Sequence, residues 1–414
     1  MTDRPHPDTV MHDVAAAVAL DEGEAGVRDL IALIARLEPV AVRRISRAVE
    51  LPVPIVAAIC GELRKRGVVA RQSPVQLSSW GRERFGHRSS SFTHSSVCSS
   101  CDGRGLVLGE ELDEVASELT KIAEAAPAAR LDIDQSHCTV ATKLRRVLLL
   151  HDVGALTGRR IMLLGDDDLM SVAIDRVGRR IGFAESIEEL VIVDVDPAVL
   201  EFCRARLRGA PFPVTVLDHD LREPLPKKFE RRFDTIFTDP PYTPAGAELF
   251  LSRAATALSS RTVGQIFFCF GMKPSHEALR IQRAIAGMGL VTRRLVRNFN
   301  EYHGSGSVAG VSHLYHLIST RTTHPLIDDG YGGYLYTGDG RRARRYRCVS
   351  CGAIEIVGPD ERWKTASDLK ASGCLRCRAT SFRPRPRGEG HEVSPSEETF
   401  LSSQERASLG SDGC

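Results

Sequence analysis

Three consecutive aspartates, Asp166, Asp167 and Asp168, follow Gly165 in the stretch LLGDDDLMSVA, between an apolar strand and what reads as a helix. Folds that bind nucleotides place glycines at this turn, so that backbone comes close to a negative group. A run of carboxylates has the opposite preference and holds a cation. Acids recur where later apolar runs end: Asp194 and Asp196 in VDVDP, Asp218 and Asp220 in LDHD, Asp239 in TDPPYT. Asp134 and Gln135 in LDIDQ, and Glu301 in NFNEYHG, lie in loops able to reach the same place. Residues 131–321 hold 25 Lys/Arg against 22 acids, so these carboxylates are gathered on one rim of a domain that is not acidic overall. Such a rim attracts a polycation and repels a phosphodiester backbone.

Roles follow from position. Asp194 ends the second strand, where an acid binds ribose hydroxyls in folds that hold a nucleoside cofactor. Asp220 follows the third strand and offers an acceptor to an adenine amino group. An aspartate at a strand end also serves as a plain helix cap, and that reading stays open for both. In TDPPYT, Asp239 and its neighbouring carbonyl face an attacking nitrogen, Pro240 helps to fix the turn, and Tyr242 lays a ring against the amine. Gly165 and the triplet face the amino-acid end of the cofactor, where the carboxylate of intact S-adenosylmethionine would be repelled. Decarboxylated S-adenosylmethionine presents only an ammonium and a sulfonium there, which makes Gly165, Asp166 and Asp168 candidate contacts. That molecule donates an aminopropyl group.

The positioning elements form an α/β pattern. Candidate strands RRIMLLG, ELVIVDV, VTVLD, FDTIFTD, GQIFFCFG, LVTRRLVRNF and SHLYHLIST alternate with helices over 169–181, 197–208, 246–258 and 275–288. Seven strands whose closing pair lacks a helix give a methyltransferase-like Rossmann sheet, over residues 130–325. Residues 1–25 are expected to be flexible. Residues 26–88 read as three helices and a hairpin, a winged-helix-like domain, with ten Lys/Arg against three acids over 39–88. Residues 89–129 combine a C-x-x-C knuckle, Cys98 and Cys101, with a linker helix. His87, His94 or a second subunit could complete a metal set there, or the pair are simply reduced thiols. In 338–387, Cys348, Cys351, Cys374 and Cys377 form two knuckles of a zinc ribbon. Residues 388–414, rich in Pro, Gly, Ser and Glu, read as a disordered tail. No apolar run approaches the ~20 residues of a membrane span, and the start lacks a signal peptide's apolar region. Eleven cysteines, many in C-x-x-C pairs, suit a reducing, cytoplasmic setting with no membrane partner.

LLGDDDLMSVA, DLREPLP, FDTIFTDPPYT and RNFNEY, in this order, closely resemble the branched-chain polyamine synthases, the bis(aminopropyl)spermidine synthases. The likeness extends to DIDQ and CSSCDGRG, and covers roughly residues 26–321. It implies two aminopropyl transfers to the central nitrogen of spermidine, with methylthioadenosine leaving, and it implies that Asp167 is the catalytic carboxylate. A clustered carboxylate has raised proton affinity, which suits a base for an amine with a pKa of about 10.4. Asp239 would orient that nitrogen. Asp134, Gln135, Pro240, Tyr242 and Glu301 are the expected substrate contacts, and a homodimer is the expected assembly. The chain departs from archaeal members in Tyr242, where they can carry an acid, and in its basic ribbon, where they end in an acidic tail. Two rival readings stand beside this one. The first is an amino-group methyltransferase on RNA or DNA. The second is a non-catalytic nucleic-acid-binding protein built on the winged helix and zinc ribbon, whereas the main reading expects only weak nucleic-acid contact through the basic N- and C-terminal modules.

Overall fold

The computed structural model describes residues 6–85, 98, 100–260, 263–303, 310–336, 344–357, 361–363, 369–370 and 372–384. The chain divides into two compact units, Met1–Asp339 and Gly340–Cys414.

The larger unit opens with helices α1 (Pro7–Val18), α2 (Gly23–Leu37), α3 (Val42–Val49), α4 (Val53–Lys65) and α5 (Ser79–Phe85). Residues 1–25 were expected to be flexible, but α1 is ordered. Val10, Met11 and Val14 repeat at helical spacing and are buried with α2 and α4 in one apolar cluster, which repays the cost of ordering the segment. Instead of a full hairpin, the chain beyond α4 makes isolated antiparallel bridges, Val40 with Val75 and Val69 with Leu77, before α5. Two more helices follow, α6 (Asp113–Glu124) and α7 (Val140–Asp152).

A seven-stranded sheet is built from β1 (Arg160–Leu164), β2 (Glu189–Asp194), β3 (Val214–Asp218), β4 (Thr235–Thr238), β5 (Gln265–Gly271), β6 (Leu290–Glu301) and β7 (Val311–Ser319). Its order is β3-β2-β1-β4-β5-β7-β6. The first five strands are parallel and β7 inserts antiparallel between β5 and β6. The linking helices are α8 (Met170–Ile181), α9 (Pro197–Arg206), α10 (Pro244–Ala257) and α11 (Ser275–Gly287). Both faces are covered, so the strands read as continuous apolar runs that divide by alternation. Ile161 and Leu163 pack with α7, α8 and α9 on one face, and Met162 and Leu164 with α10 and α11 on the other. All seven strand expectations fall on strands. Among the described residues no helix is long and apolar enough to cross a membrane.

The smaller unit holds β8 (Arg344–Cys348), β9 (Ile354–Val357) and β10 (Phe382–Pro384), ordered β10-β8-β9. Val357, Trp363 and Leu369 form its small core. Residues 388–414 lie outside the described residues.

Thr243 joins the turn after β4 to the rest of the unit: its hydroxyl caps α10 through the Gly246 N–H at 2.9 Å and donates to the Leu335 carbonyl at 2.7 Å. Thr243→Ala is expected to cost about 1 kcal/mol, as lost N-caps do. Calorimetry should show a lower midpoint for the larger unit's transition.

Candidate active site

The carboxyl ends of β1, β2 and β4 meet in one crevice, and the triplet enters it from β1. Gly165 makes the turn possible with φ +81, a backbone state that costs glycine nothing. The three aspartates then separate. Asp166 is buried and accepts from the Ser171 hydroxyl, the Ser171 N–H at 3.2 Å and the Cys203 thiol. Its own N–H donates to Asp194 Oδ2 at 2.8 Å. Asp168 is buried against α7. Asp167 is the one of the three that is only partly buried, and its carboxylate accepts from the Ser136 N–H at 3.2 Å.

The opposite wall is organised by Arg146 on α7, whose side chain is fully buried. Its guanidinium donates to Asp168 Oδ2 at 2.6 Å, Asp239 Oδ2 at 2.6 Å, Asn300 Oδ1 at 2.8 Å and the Tyr302 hydroxyl at 3.0 Å. Lys143, one turn earlier, lies 3.9 Å from Asp168 Oδ1 and donates to its backbone carbonyl. Burial alone would push the Asp168 carboxyl up, but the Arg146 and Lys143 cations outweigh it and hold the group below the usual carboxylate range.

Asp239 accepts from Tyr302 at 2.6 Å and from Tyr242 at 3.0 Å. The two phenols are themselves 2.7 Å apart. Burial pushes Asp239 upward, partly opposed by Arg146. The Tyr242 ring packs on Phe270, and a Cβ on Gly271 would lie 2.7 Å from that ring. Glycine at 271 is therefore what lets the tyrosine of TDPPYT reach Asp239.

Burial also raises Asp166, to about 7, and Asp194. It raises Asp167 well above its ordinary value, with Asp168, Asp194 and Asp239 adding like charge. Asp194 accepts from the Asp166 and Asp196 N–H groups, each at 2.8 Å. Among the described residues no cation pairs with Asp166, Asp167 or Asp194, whereas Arg146 and Lys143 together balance Asp168 and Asp239. Among the described residues, then, three desolvated carboxyls of the crevice have no counter-charge, and this favours a cation there.

Several expected contacts are committed elsewhere. Asp168 was expected to touch the cofactor, but Arg146 and Lys143 bind it into the fold. Asp220 was expected at an adenine; its carboxylate instead accepts from Arg222 at 2.6 and 2.9 Å, closing a local turn. Glu301 was expected to meet substrate, but it pairs with Arg104 at 2.9 Å and Arg47 at 3.1 Å, which satisfy its charge. Gln135 is buried and donates to Asp196 at 3.1 Å while accepting from the Arg130 N–H, so it positions a loop. Asp134 stays half-buried in that loop with φ +59, and Pro240 is buried in the TDPPYT turn. Arg146, Lys143, Asn300 and Tyr302 escaped the sequence reading. The signal was present in VATKLRRVLLLHD, where Lys143 and Arg146 stand three apart on a helix otherwise apolar enough to be buried.

In the smaller unit the four sulfurs of Cys348, Cys351, Cys374 and Cys377 lie within 4.8 Å of one another. The pairs Cys348–Cys377 and Cys351–Cys374 are 3.5 and 3.6 Å apart. Tetrahedral zinc with Zn–S of about 2.3 Å needs edges near ~3.8 Å, so the set fits a structural zinc ion.

Fold and crevice together define a doubly wound α/β protein whose first strand ends in carboxylates instead of a glycine-rich turn. Residues 114–327 match the family model for the branched-chain polyamine synthase A C-terminal domain, and the chain belongs to that family. An uncharacterised protein of Methanocaldococcus jannaschii is 34% identical over 87% of this chain and 89% of its own length. That match is longer than the larger unit and so runs into the smaller one. The N(4)-bis(aminopropyl)spermidine synthase of Thermococcus kodakarensis is 30% identical, over 63% of this chain and 73% of its own. The solved branched-chain polyamine synthase of Thermus thermophilus, in complex with N4-aminopropylspermidine and 5'-methylthioadenosine, shares the fold. Its TM-score is 0.64 at 24% identity, covering 80% of this chain and 98% of that one.

Two outcomes test the electrostatics. Asp166 is raised from 3.8 to about 7 on folding, so it adds stability at low pH that is lost as pH rises through about 7. Without ligand, the wild-type melting temperature should fall between about pH 4 and 7 more steeply than that of Asp166→Asn, and the difference should level off above about 7. Arg146→Met should lose about 3–5 kcal/mol, the usual cost of stripping one partner from a buried ion pair. Chemical denaturation of the larger unit reads that loss.

Proposed function

We propose that this transferase moves the aminopropyl group of decarboxylated S-adenosylmethionine onto the secondary, then the tertiary, nitrogen of spermidine. The observation that carries the reading is the trio Asp166, Asp167 and Asp194, desolvated and with no cation paired to them among the described residues, beside an Asp239 that Arg146 holds in an ion pair. The names of the family relatives point to the same chemistry.

The acceptor nitrogen arrives protonated and must lose that proton before it can attack. Asp167, partly buried with raised proton affinity, takes it. The nitrogen lone pair forms a bond to the aminopropyl carbon beside the sulfonium. The carbon–sulfur bond breaks, its electron pair returns to sulfur, and neutral methylthioadenosine leaves. Asp239, fixed by Tyr242, Tyr302 and Arg146, orients the nitrogen. Asp194 takes the ribose hydroxyls, Asp166 lies next to it under the cofactor, and the Tyr242 ring faces the ammonium. The carboxylates stabilise the cation left on the product.

The appendages belong to the same reading. We take residues 26–88 as a winged-helix-like module and residues 338–387 as a zinc ribbon held by its four cysteines. Their basic character suits weak nucleic-acid contact. A homodimer in the cytoplasm completes the picture.

Asp167→Asn should lower single-turnover transfer by ~10²–10⁴, the usual cost of losing a general base, with cofactor affinity little changed. Asp194→Asn should instead weaken cofactor binding measured by calorimetry. Methyl transfer to RNA or DNA from intact S-adenosylmethionine, with no product from spermidine and the decarboxylated form, would overturn the assignment.

A further inference from the structure

The last turn of α3 reaches the end of β6 that carries Asn300 and Tyr302, and there β6 is irregular. Val296 pairs with Leu314 and Asn300 with Ser312, so β6 holds two more residues than β7 across this step. Asn298, inside the step, lies in the left-handed region at φ +52, and its Oδ1 is buried without a hydrogen-bond partner among the described residues. Backbone of this kind persists only where its surroundings force it, and bulges gather where a strand must re-aim a side chain. Side chains alternate along a strand. The residue count of the bulge therefore decides whether Asn300 and Tyr302 face Arg146 and Asp239 or turn away.

The groups that hold the bulge come from far away in the chain. A helix end leaves carbonyls without partners. At the end of α3 the Arg47 carbonyl accepts from Asn298 Nδ2 at 3.1 Å, and the Ala48 carbonyl accepts from Arg297 Nη2 at 3.4 Å. The Arg297 cation suits the negative end of the helix. It also donates to Glu50, which lies 3.6 Å from His313 Nε2, and the other nitrogen of His313 accepts from the Asn298 N–H at 3.1 Å. Arg47 Nη2 donates to Glu301 Oε1 at 3.1 Å, the same oxygen that accepts from Arg104 at 2.9 Å. Arg104 donates again to the Asn298 carbonyl at 3.0 Å. Arg297, Asn298 and Glu301 are thus all bonded to the last turn of α3 or the residue that caps it. The exposed Arg297–Glu50 pair adds little by itself. Arg104 is buried, and the bonds that converge on Asn298 and Glu301 are the firmer part of the clamp.

We infer that α3 is a positioning element of the transfer site: Arg47 and its neighbours lock the β6 bulge in the register that presents Asn300 to Arg146 and Tyr302 to Asp239. The inference rests on the role given above to Asp239, which orients the acceptor nitrogen. Arg47 touches no reacting atom and acts through Glu301 and Tyr302. The N-terminal module is then a working part of the active site and not a separate appendage.

The test compares Arg47→Ala and Arg47→Lys with the wild type and with Arg44→Ala, an exposed residue of the same helix. In single-turnover transfer at saturating cofactor and spermidine, Arg47→Ala should be slower by roughly 10–100-fold, within the range that a misplacement of about 1 Å produces. Cofactor affinity by calorimetry and the KM for spermidine should change little. Arg47→Lys should recover most of the rate, and Arg44→Ala should match the wild type. Hydrogen exchange supplies a readout that does not depend on activity: amides of residues 297–303 should exchange faster in Arg47→Ala, while those of β1 to β5 should not. Wild-type rate and wild-type exchange in Arg47→Ala would overturn the inference. A lower melting temperature with an unchanged rate would overturn it too, by marking the contact as purely structural. No transfer by the wild type, with faster exchange in the variant, would overturn the functional reading and leave the clamp standing.

Discussion

A guanidinium with no exposed surface sets the terms for everything around it. Arg146 is stable inside the protein only because Asp168 and Asp239 supply two negative charges and Asn300 and Tyr302 supply acceptors. Those partners come from the end of β1, the end of β4 and the end of β6, so satisfying one buried charge fixes three separate segments against α7. Removing a charge this deep from water is expensive, and near-complete hydrogen bonding is what repays it. The site inherits that precision, because Asp239 cannot turn without breaking a charge-assisted bond.

The arrangement also divides the acids into two populations. Asp168 and Asp239 are compensated from within, while Asp166, Asp167 and Asp194 are left to be compensated by what binds. Glu301 and Asp220, which sequence position alone would add to the second group, are withdrawn from it by Arg47, Arg104 and Arg222. The cationic capacity of the crevice is therefore smaller than the number of acids at the strand ends suggests, and it is concentrated near the β1–β2 boundary. This is where a doubly wound sheet opens to receive a nucleoside-type ligand.

Much of the sheet was legible because strands buried on both faces leave long apolar runs, bounded here by aspartates and glycines. The positions of Gly165, Asp167, Asp194 and Asp239 at strand ends follow from the same pattern. What sequence could not show is which acid meets which arginine. Asp166, Asp167 and Asp168 are consecutive and chemically identical, and only the fold assigns one to Ser171, one to the opening and one to Arg146. The N-terminal helix α1 was passed over because its prolines and acids masked the spacing of Val10, Met11 and Val14. Tyr302 was invisible as a partner of Asp239 because the two lie on strands far apart in the chain.

That separation bears on how the protein is made. Arg146 and Tyr302 are 156 residues apart. A ribosome adding ~5–20 residues per second needs on the order of 10–30 s to cover that distance. For this interval the arginine has been synthesised, yet the strand that carries two of its four partners does not exist. The antiparallel insertion of β7 between β5 and β6 delays the joint further, since β6 reaches the rest of the sheet only through a later strand. A nascent chain ending between Asp239 and Asn300 carries a half-paired charge at the place where its core should close. Completion of the last hairpin and completion of the active site are thus one event.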